Sequence, residues 1–163
     1  MRFVGGARLP SVTDYGIYGF FGDYRFLSNY HVLDDLIYMS DGFWYYSTEA
    51  AYMAGKTLDK SLKETLSTIS CNPAECKKFA KSFELRKDWD KVKDTVMLEA
   101  LRAKFKQPDL KEKLLATGVR TLEETNNWGD TYWGAIVDPE GFPGYGHNRL
   151  GVLLMIVREE LRG

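Results

Sequence analysis

Leu36-Ile37-Tyr38-Met39-Ser40-Asp41-Gly42-Phe43-Trp44-Tyr45-Tyr46-Ser47-Thr48-Glu49-Ala50-Ala51-Tyr52 is the stretch whose reading decides the fold. Aromatic and branched residues fill both arms around Asp41-Gly42, a pair that suits the positive φ angles of a tight type I′ turn. The stretch therefore predicts a hairpin, with strands over Leu36–Ser40 and Phe43–Tyr46. Ser47 or Thr48 then caps a helix running to about Thr57, carrying Tyr52, Met53 and Lys56. Glu49 falls in the first turn of that helix. Main-chain N–H groups lack helical partners there and the dipole is positive, so a carboxylate is held in its charged form.

Residues 1–16 are Gly-rich and weakly patterned, and read as an irregular arm. Ile17 to Phe21 reads as a strand ending at Gly22. Asn72-Pro73-Ala74-Glu75 has the cap, the proline and the acid of a helix start. Trp89 opens a long helix to about Lys106. Met97, Leu101 and Phe105 form its stripe, with Val92, Val96 and Ala100 beside it, and Pro108 ends it. Leu110, Leu114 and Leu115 make a short helix closed by Thr117-Gly118. Residues 121–125 read as a short strand. A long Gly-rich, aromatic loop follows over 126–149, and a last helix covers about Gly151 to Leu161, with Val152, Leu153, Met155 and Ile156 on its buried side. The expectation is one α+β domain over 1–163, mostly helical, with a small antiparallel sheet.

Composition narrows the function classes. Net charge is −1, so the chain as a whole has no electrostatic bias toward nucleic acid or membrane. No apolar run approaches the roughly 20 residues of a membrane helix, and Met1-Arg2-Phe3-Val4-Gly5-Gly6 does not read as a signal peptide. Cys71 and Cys76 lack the spacing of a metal pair or redox motif, and read as reduced thiols of a cytoplasmic protein. With only His31 and His147, a His-based metal site is not supported, and nothing calls for a metal or redox cofactor. Aromatics make up 14% of the chain, an excess that suits a site stacking flat ligands.

Several side chains are candidates for chemistry, each with a plainer reading beside it. Glu49 is either a general base that also stabilises a cationic transition state, or a first-turn acid serving the dipole. Asp130 is either a second catalytic carboxylate or a turn former. Lys56 lies seven residues after Glu49, two helical turns on and on the same face. It is a phosphate-binding cation, a Schiff-base amine, or a solvated lysine. Trp89 reads as core. Trp128 and Trp133, in the Gly-rich loop, are candidates for stacking on a base or ribose. The segment Gly146-His147-Asn148-Arg149-Leu150-Gly151 precedes the last helix, so its N–H groups and Arg149 are candidates for holding a phosphate. Asn148 is equally readable as the helix cap.

The ordered set of motifs resembles the YbiA-like proteins of the NADAR superfamily. The matching segments are Leu27-Ser28-Asn29-Tyr30, Ser47-Thr48-Glu49-Ala50-Ala51-Tyr52 with Lys56, Arg86-Lys87-Asp88-Trp89, Met97 to Phe105, Leu114 to Gly118, Trp133-Gly134, and Asn148 to Met155. Together they cover about residues 18–161. The resemblance implies an N-glycosidase. One branch acts on aminopyrimidine ribose 5-phosphate intermediates of riboflavin synthesis. Another removes ADP-ribose from N-ADP-ribosylated guanine in nucleic acid or nucleotides, so nucleic acid enters as substrate only. The resemblance implies Glu49, Asp130 and Lys56 as catalytic positions. It implies Asn29, Trp89, Trp133, Gly134, Asn148 and Arg149 as substrate-binding positions. His147 stands where relatives often carry Lys, which leaves Lys56 as the better amine. The segment 135–145 is longer than in compact relatives and borders the expected site. A non-catalytic ADP-ribose or nucleotide-binding module is the competing class.

Overall fold

The computed structural model describes residues 2–4, 7–137 and 145–163, with side chains from residue 10 onward within those ranges. The chain runs β1 (Arg2–Val4), β2 (Ala7–Leu9), β3 (Ser11–Val12), β4 (Gly16–Tyr18), a 3-10 helix (Gly22–Leu27), β5 (Ile37–Tyr38), β6 (Trp44–Tyr45), α1 (Thr48–Gly55), α2 (Lys60–Thr68), α3 (Pro73–Ala80), α4 (Trp89–Phe105), α5 (Pro108–Ala116), β7 (Thr121–Glu123), β8 (Thr125–Asn126), β9 (Ala135–Ile136) and α6 (Arg149–Arg162). It is a mostly helical α+β fold with small sheets. No helix among the described residues is long and apolar enough to cross a membrane. Two compact units emerge, one of Met1–Ser28 with Lys111–Gly163, the other of Asn29–Leu110.

In the Asn29–Leu110 unit, the hairpin lies where the sequence places it, with Ile37 opposite Tyr45 and Tyr38 opposite Trp44. Its turn differs from the type I′ expectation. Gly42 alone has positive φ, at 90°, and its N–H donates to the Met39 carbonyl. Asp41 does not take a positive φ; its Oδ1 accepts from the Phe43 N–H at 3.0 Å, an Asx turn that settles the backbone without a left-handed aspartate. Its Oδ2 accepts from the Tyr45 hydroxyl at 2.7 Å and the Lys63 ammonium at 3.2 Å. Lys63 Nζ also donates to the Ala54 carbonyl at 3.0 Å, tying hairpin, α1 and α2 together.

Helix α1 is buried along its whole length, and α2, α3, α4 and β6 pack against it. Its small residues allow this close approach. A Cβ at Gly55 would come within 2.5 Å of Val96 Cγ1. Sequence reading passes over α2, which Asp59 caps by accepting from the Ser61 and Leu62 N–H groups. Asn72 caps α3 as expected, accepting from the Ala74 N–H at 3.0 Å. Helix α4 buries the expected stripe of Met97, Leu101 and Phe105.

In the other unit, the described residues of the expected irregular arm, 1–16, include strands. β1 pairs antiparallel with β2, and β3 with β4. Glycine content masked strands too short to show a pattern. Two pairings are parallel, β4 with β7 and β8 with β9, which an antiparallel sheet does not include. β9 also corrects the reading of 126–149 as one loop, of which 138–144 lie outside the described residues. Helix α6 buries Leu150, Leu153, Leu154 and Val157, an i, i+3, i+4, i+7 face. Val152, Met155 and Ile156 are half-buried or exposed rather than core. The expected stop after α5 is reinforced by arginines. Gly118 turns left-handed at φ 68°. Arg158 Nη1 donates to Thr117 Oγ1 and the Arg120 carbonyl, both at 2.9 Å. Arg120 Nε donates to the Thr117 carbonyl, and Arg162 to that of Gly118.

Candidate active site

The expected site residues fall in two groups, one per unit. Around α1 stand Asn29, Glu49, Lys56 and Trp89. Ser47 caps the helix, its Oγ accepting from the Ala50 N–H at 3.1 Å. The Glu49 N–H donates to the Asn29 carbonyl at 3.2 Å, and Thr48 Oγ1 donates to Asn29 Oδ1 at 2.8 Å. Asn29 therefore organises the first turn of α1, and its own side chain is buried. Glu49 is 6% exposed. A carboxylate this far from water is expensive unless charge and dipoles hold it, and the helix terminus supplies part of that support.

Lys56 follows the last residue of α1 and is half-buried, with Nζ 5.6 Å from the centre of the Tyr52 ring. Burial pushes its ammonium below the ordinary lysine value, the nearby Glu49 carboxylate opposes that, and Lys77 adds to the depression. Glu49 and Lys56 thus share one electrostatic neighbourhood, as their spacing predicts. The Cys76 thiol, buried on α3, is in it too. Burial and then Glu49 push its pKa up, so it stays a neutral thiol.

The Arg86-Lys87-Asp88-Trp89 segment positions this group. Arg86 Nε and Nη2 donate to the two Asp88 oxygens at 2.6 and 2.9 Å, a bidentate fork. The Arg86 N–H donates to the Lys56 carbonyl at 2.9 Å, fixing the end of α1. The Trp89 N–H then donates to the Arg86 carbonyl. The Trp89 ring packs on Tyr52, centroids 5.0 Å apart, and is 6% exposed. The core reading of Trp89 holds, with its ring packed on Tyr52, the ring over which the Lys56 ammonium lies.

The second group gathers where α6 begins. Asp130 Oδ1 accepts from the Tyr132 and Trp133 N–H groups at 3.1 and 2.9 Å. That is the turn-forming role. Asn126, fully buried and not foreseen, holds the other side of the turn. Its Oδ1 accepts from the Asp130 N–H at 3.0 Å, and its Nδ2 donates to the Asp130 carbonyl at 2.7 Å. Gly134 is needed for closeness, since a Cβ would lie 2.2 Å from the Glu124 carbonyl oxygen. Trp133 is half-buried and meets Tyr132 edge-on, centroids 5.0 Å apart, whereas Trp128 is exposed.

The phosphate reading of the α6 start meets an obstacle. The Asn148, Arg149 and Leu150 N–H groups donate to the carbonyls of Gly134, Tyr132 and Trp133, at 3.1, 3.0 and 3.0 Å. These donors are spent on the loop. Asn148 is left-handed, at φ 46°, and does not cap with its side chain. Instead its Oδ1 accepts from the Glu124 N–H and its Nδ2 donates to the Leu122 carbonyl, at 3.0 and 2.9 Å. A Cβ at Gly151 would lie 1.9 Å from that same Leu122 oxygen. Arg149 is half-buried. Among the described residues no cluster of three or more His, Cys, Asp or Glu could hold a metal ion.

The model of the NADAR domain family matches residues 19–162. N-glycosidase YbiA of Escherichia coli (strain K12) is 41% identical over 125 residues, covering 74% of this chain and 73% of that protein. A riboflavin biosynthesis protein of Vibrio vulnificus is 32% identical over 143 residues, 86% of this chain but 36% of the relative. The NMR structure of Escherichia coli YbiA superposes with a TM-score of 0.75 and 36% identity, covering 93% of this chain and 88% of that one. The family match spans nearly the whole chain and the likeness to YbiA holds in both sequence and structure: the protein belongs to the NADAR family and is an enzyme of the N-glycosidase class.

Proposed function

We propose that the protein hydrolyses the N-ribosyl bond of a small phosphorylated riboside, in the manner of an aminopyrimidine ribose 5-phosphate. The observation that carries this is Glu49, a buried carboxylate at a helix N-terminus with the Lys56 ammonium in its field. Cleaving a ribosyl C–N bond builds positive charge on the sugar. A preorganised carboxylate in a dry setting stabilises that charge and takes a proton from the attacking water. The water oxygen bonds to the anomeric carbon, and the C–N electron pair leaves with the base, which gains a proton. Lys56 keeps Glu49 ionised and oriented. Trp89 walls the site. Asp130 shapes the turn that carries Trp133 in the other unit, so it is a positioning residue for that turn. Relatives named for riboflavin biosynthesis support the free-metabolite branch.

The test offers purified protein two substrates, an aminopyrimidine ribose 5-phosphate and an oligonucleotide carrying ADP-ribosylated guanine, with products resolved by mass spectrometry. Release of base from the first alone is expected. Release from the second alone replaces this reading with ADP-ribosyl-guanine hydrolysis.

A further inference from the structure

We infer that Lys63, held by Asp41, is a positioning residue for the reaction: its ammonium clamps the far end of α1 and so sets where Lys56 stands relative to Glu49. This rests on the reading above in which Lys56 assists Glu49. Glu49 lies in the first turn of α1 and Lys56 directly after its last residue. The first turn is fixed by the Ser47 cap and by Asn29, whose carbonyl accepts from the Glu49 N–H. The far end needs an anchor of its own, because the last carbonyls of a helix have no partner within it. Main-chain closure there is loose. The Lys56 N–H reaches the Met53 carbonyl at 3.2 Å and the Thr57 N–H reaches that of Ala54 at 3.3 Å, both at the long end for such bonds.

Lys63 Nζ donates to that same Ala54 carbonyl at 3.0 Å, two residues before Lys56. A cation at a helix C-terminus also suits the dipole. The Arg86 N–H holds the Lys56 carbonyl at 2.9 Å. One such point leaves the helix end able to turn about it, and two points bracket it. Lys63 is 8% exposed, and Asp41 matches its charge at 3.2 Å. Asp41 is held in turn by the Phe43 N–H and the Tyr45 hydroxyl, so directed bonds run unbroken from the hairpin turn to the end of α1. An ion pair withdrawn from water returns little net stability, and apolar side chains of similar volume hold elements together as well. Apolar packing does not fix a carbonyl by a directed bond. What this pair supplies beyond packing is geometry at the end of α1.

The experiment replaces the pair by apolar residues, Asp41→Leu together with Lys63→Met. Beside it stand Tyr45→Phe, which removes only the hydroxyl on Asp41, and Lys60→Met, at an exposed lysine of the same helix. One readout is kcat and KM for an aminopyrimidine ribose 5-phosphate, per folded enzyme and well below the unfolding midpoint. The other needs no turnover: the rate at which acetic anhydride labels Lys56, by peptide mass spectrometry, against exposed Lys78. The double variant should keep its unfolding midpoint within a few degrees. Its kcat should fall about tenfold or more with KM within about twofold, and Lys56 should label severalfold faster. Tyr45→Phe should move kcat and labelling the same way by about two- to threefold, and Lys60→Met neither. Faster Lys56 labelling in the double variant supports the clamp even if wild type cleaves nothing, an outcome that removes only the hydrolase reading. A folded double variant with wild-type kcat and labelling overturns it, whatever its midpoint. If the double variant does not fold, wild-type values in Tyr45→Phe overturn it, and an equal loss in Lys60→Met does so in any case.

Discussion

Segments 47–56 and 126–151 both lead into or contain a helix start, both carry a carboxylate, and both match family motifs, yet they spend their polar groups differently. In 126–151 three polar side chains serve the main chain. Asp130, Asn126 and Asn148 each bond backbone groups at 2.7–3.1 Å. In 47–56, Glu49 and Lys56 are charged, buried or half-buried, and act on each other through space. Polar groups that satisfy backbone set shape. Charges withdrawn from water are costly, and a fold that keeps them gains reactivity.

The sharpest way to break this contrast is Glu49→Gln, which keeps size and removes charge. Base release should fall on the order of a thousandfold or more, while the unfolding midpoint stays near that of wild type. Retained turnover would take Glu49 out of the mechanism and leave the contrast without content.

Gly151→Ala attacks the other segment. A Cβ there meets the Leu122 carbonyl at 1.9 Å and the Asn148 amide at 2.4 Å. Backbone cannot yield cheaply, so a stability loss of about 3 kcal/mol or more is expected by chemical denaturation. A small loss would show that α6 does not depend on this close approach to β7.

How much of this was legible in sequence follows the same line. Local chemistry was readable, as at the Ser47 and Asn72 caps, the 37–45 hairpin, the Gly118 stop and the α4 stripe, because each depends on neighbours close along the chain. Missed features depend on distant partners. The left-handed Asn148 serves β7, 26 residues away. Asn126 is the exception, since its partner Asp130 is only four residues on; a loop amide carries no pattern that marks such a turn. Glu49 and Lys56 were within reach because one helix carries both. Asp130 was not, because Asp in a Gly-rich loop fits a turn and a catalyst alike.

Asp130 is therefore the place to sharpen the comparison at intermediate effect. Asp130→Asn retains the Oδ1 acceptor for the Tyr132 and Trp133 N–H groups, and should keep most stability and turnover within about tenfold. Asp130→Ala loses the acceptor, with an expected cost of about 1–2 kcal/mol in denaturant unfolding. If the Asn variant is as inactive as Glu49→Gln while remaining folded, Asp130 is a second catalytic carboxylate and both segments carry chemistry.

The smallest expected effect is also the most direct measure of the cost of keeping charge at α1. Burial lowers the Lys56 proton affinity in the fold below its ordinary value of 10.5, despite Glu49. In the window between the lowered value and 10.5, the unfolded chain binds more protons than the native one, so stability from this group rises with pH there. Below the window the penalty is present in full. Lys56→Met removes the titration and keeps the apolar stem. Its unfolding midpoint at neutral pH should match or slightly exceed wild type, by a few degrees at most, and the gap should close as pH climbs toward 10.5, while base release falls. A variant that is clearly less stable at neutral pH would mean that the Lys56 ammonium supports the fold. In that case 47–56 would resemble 126–151, and Lys56 would be architecture.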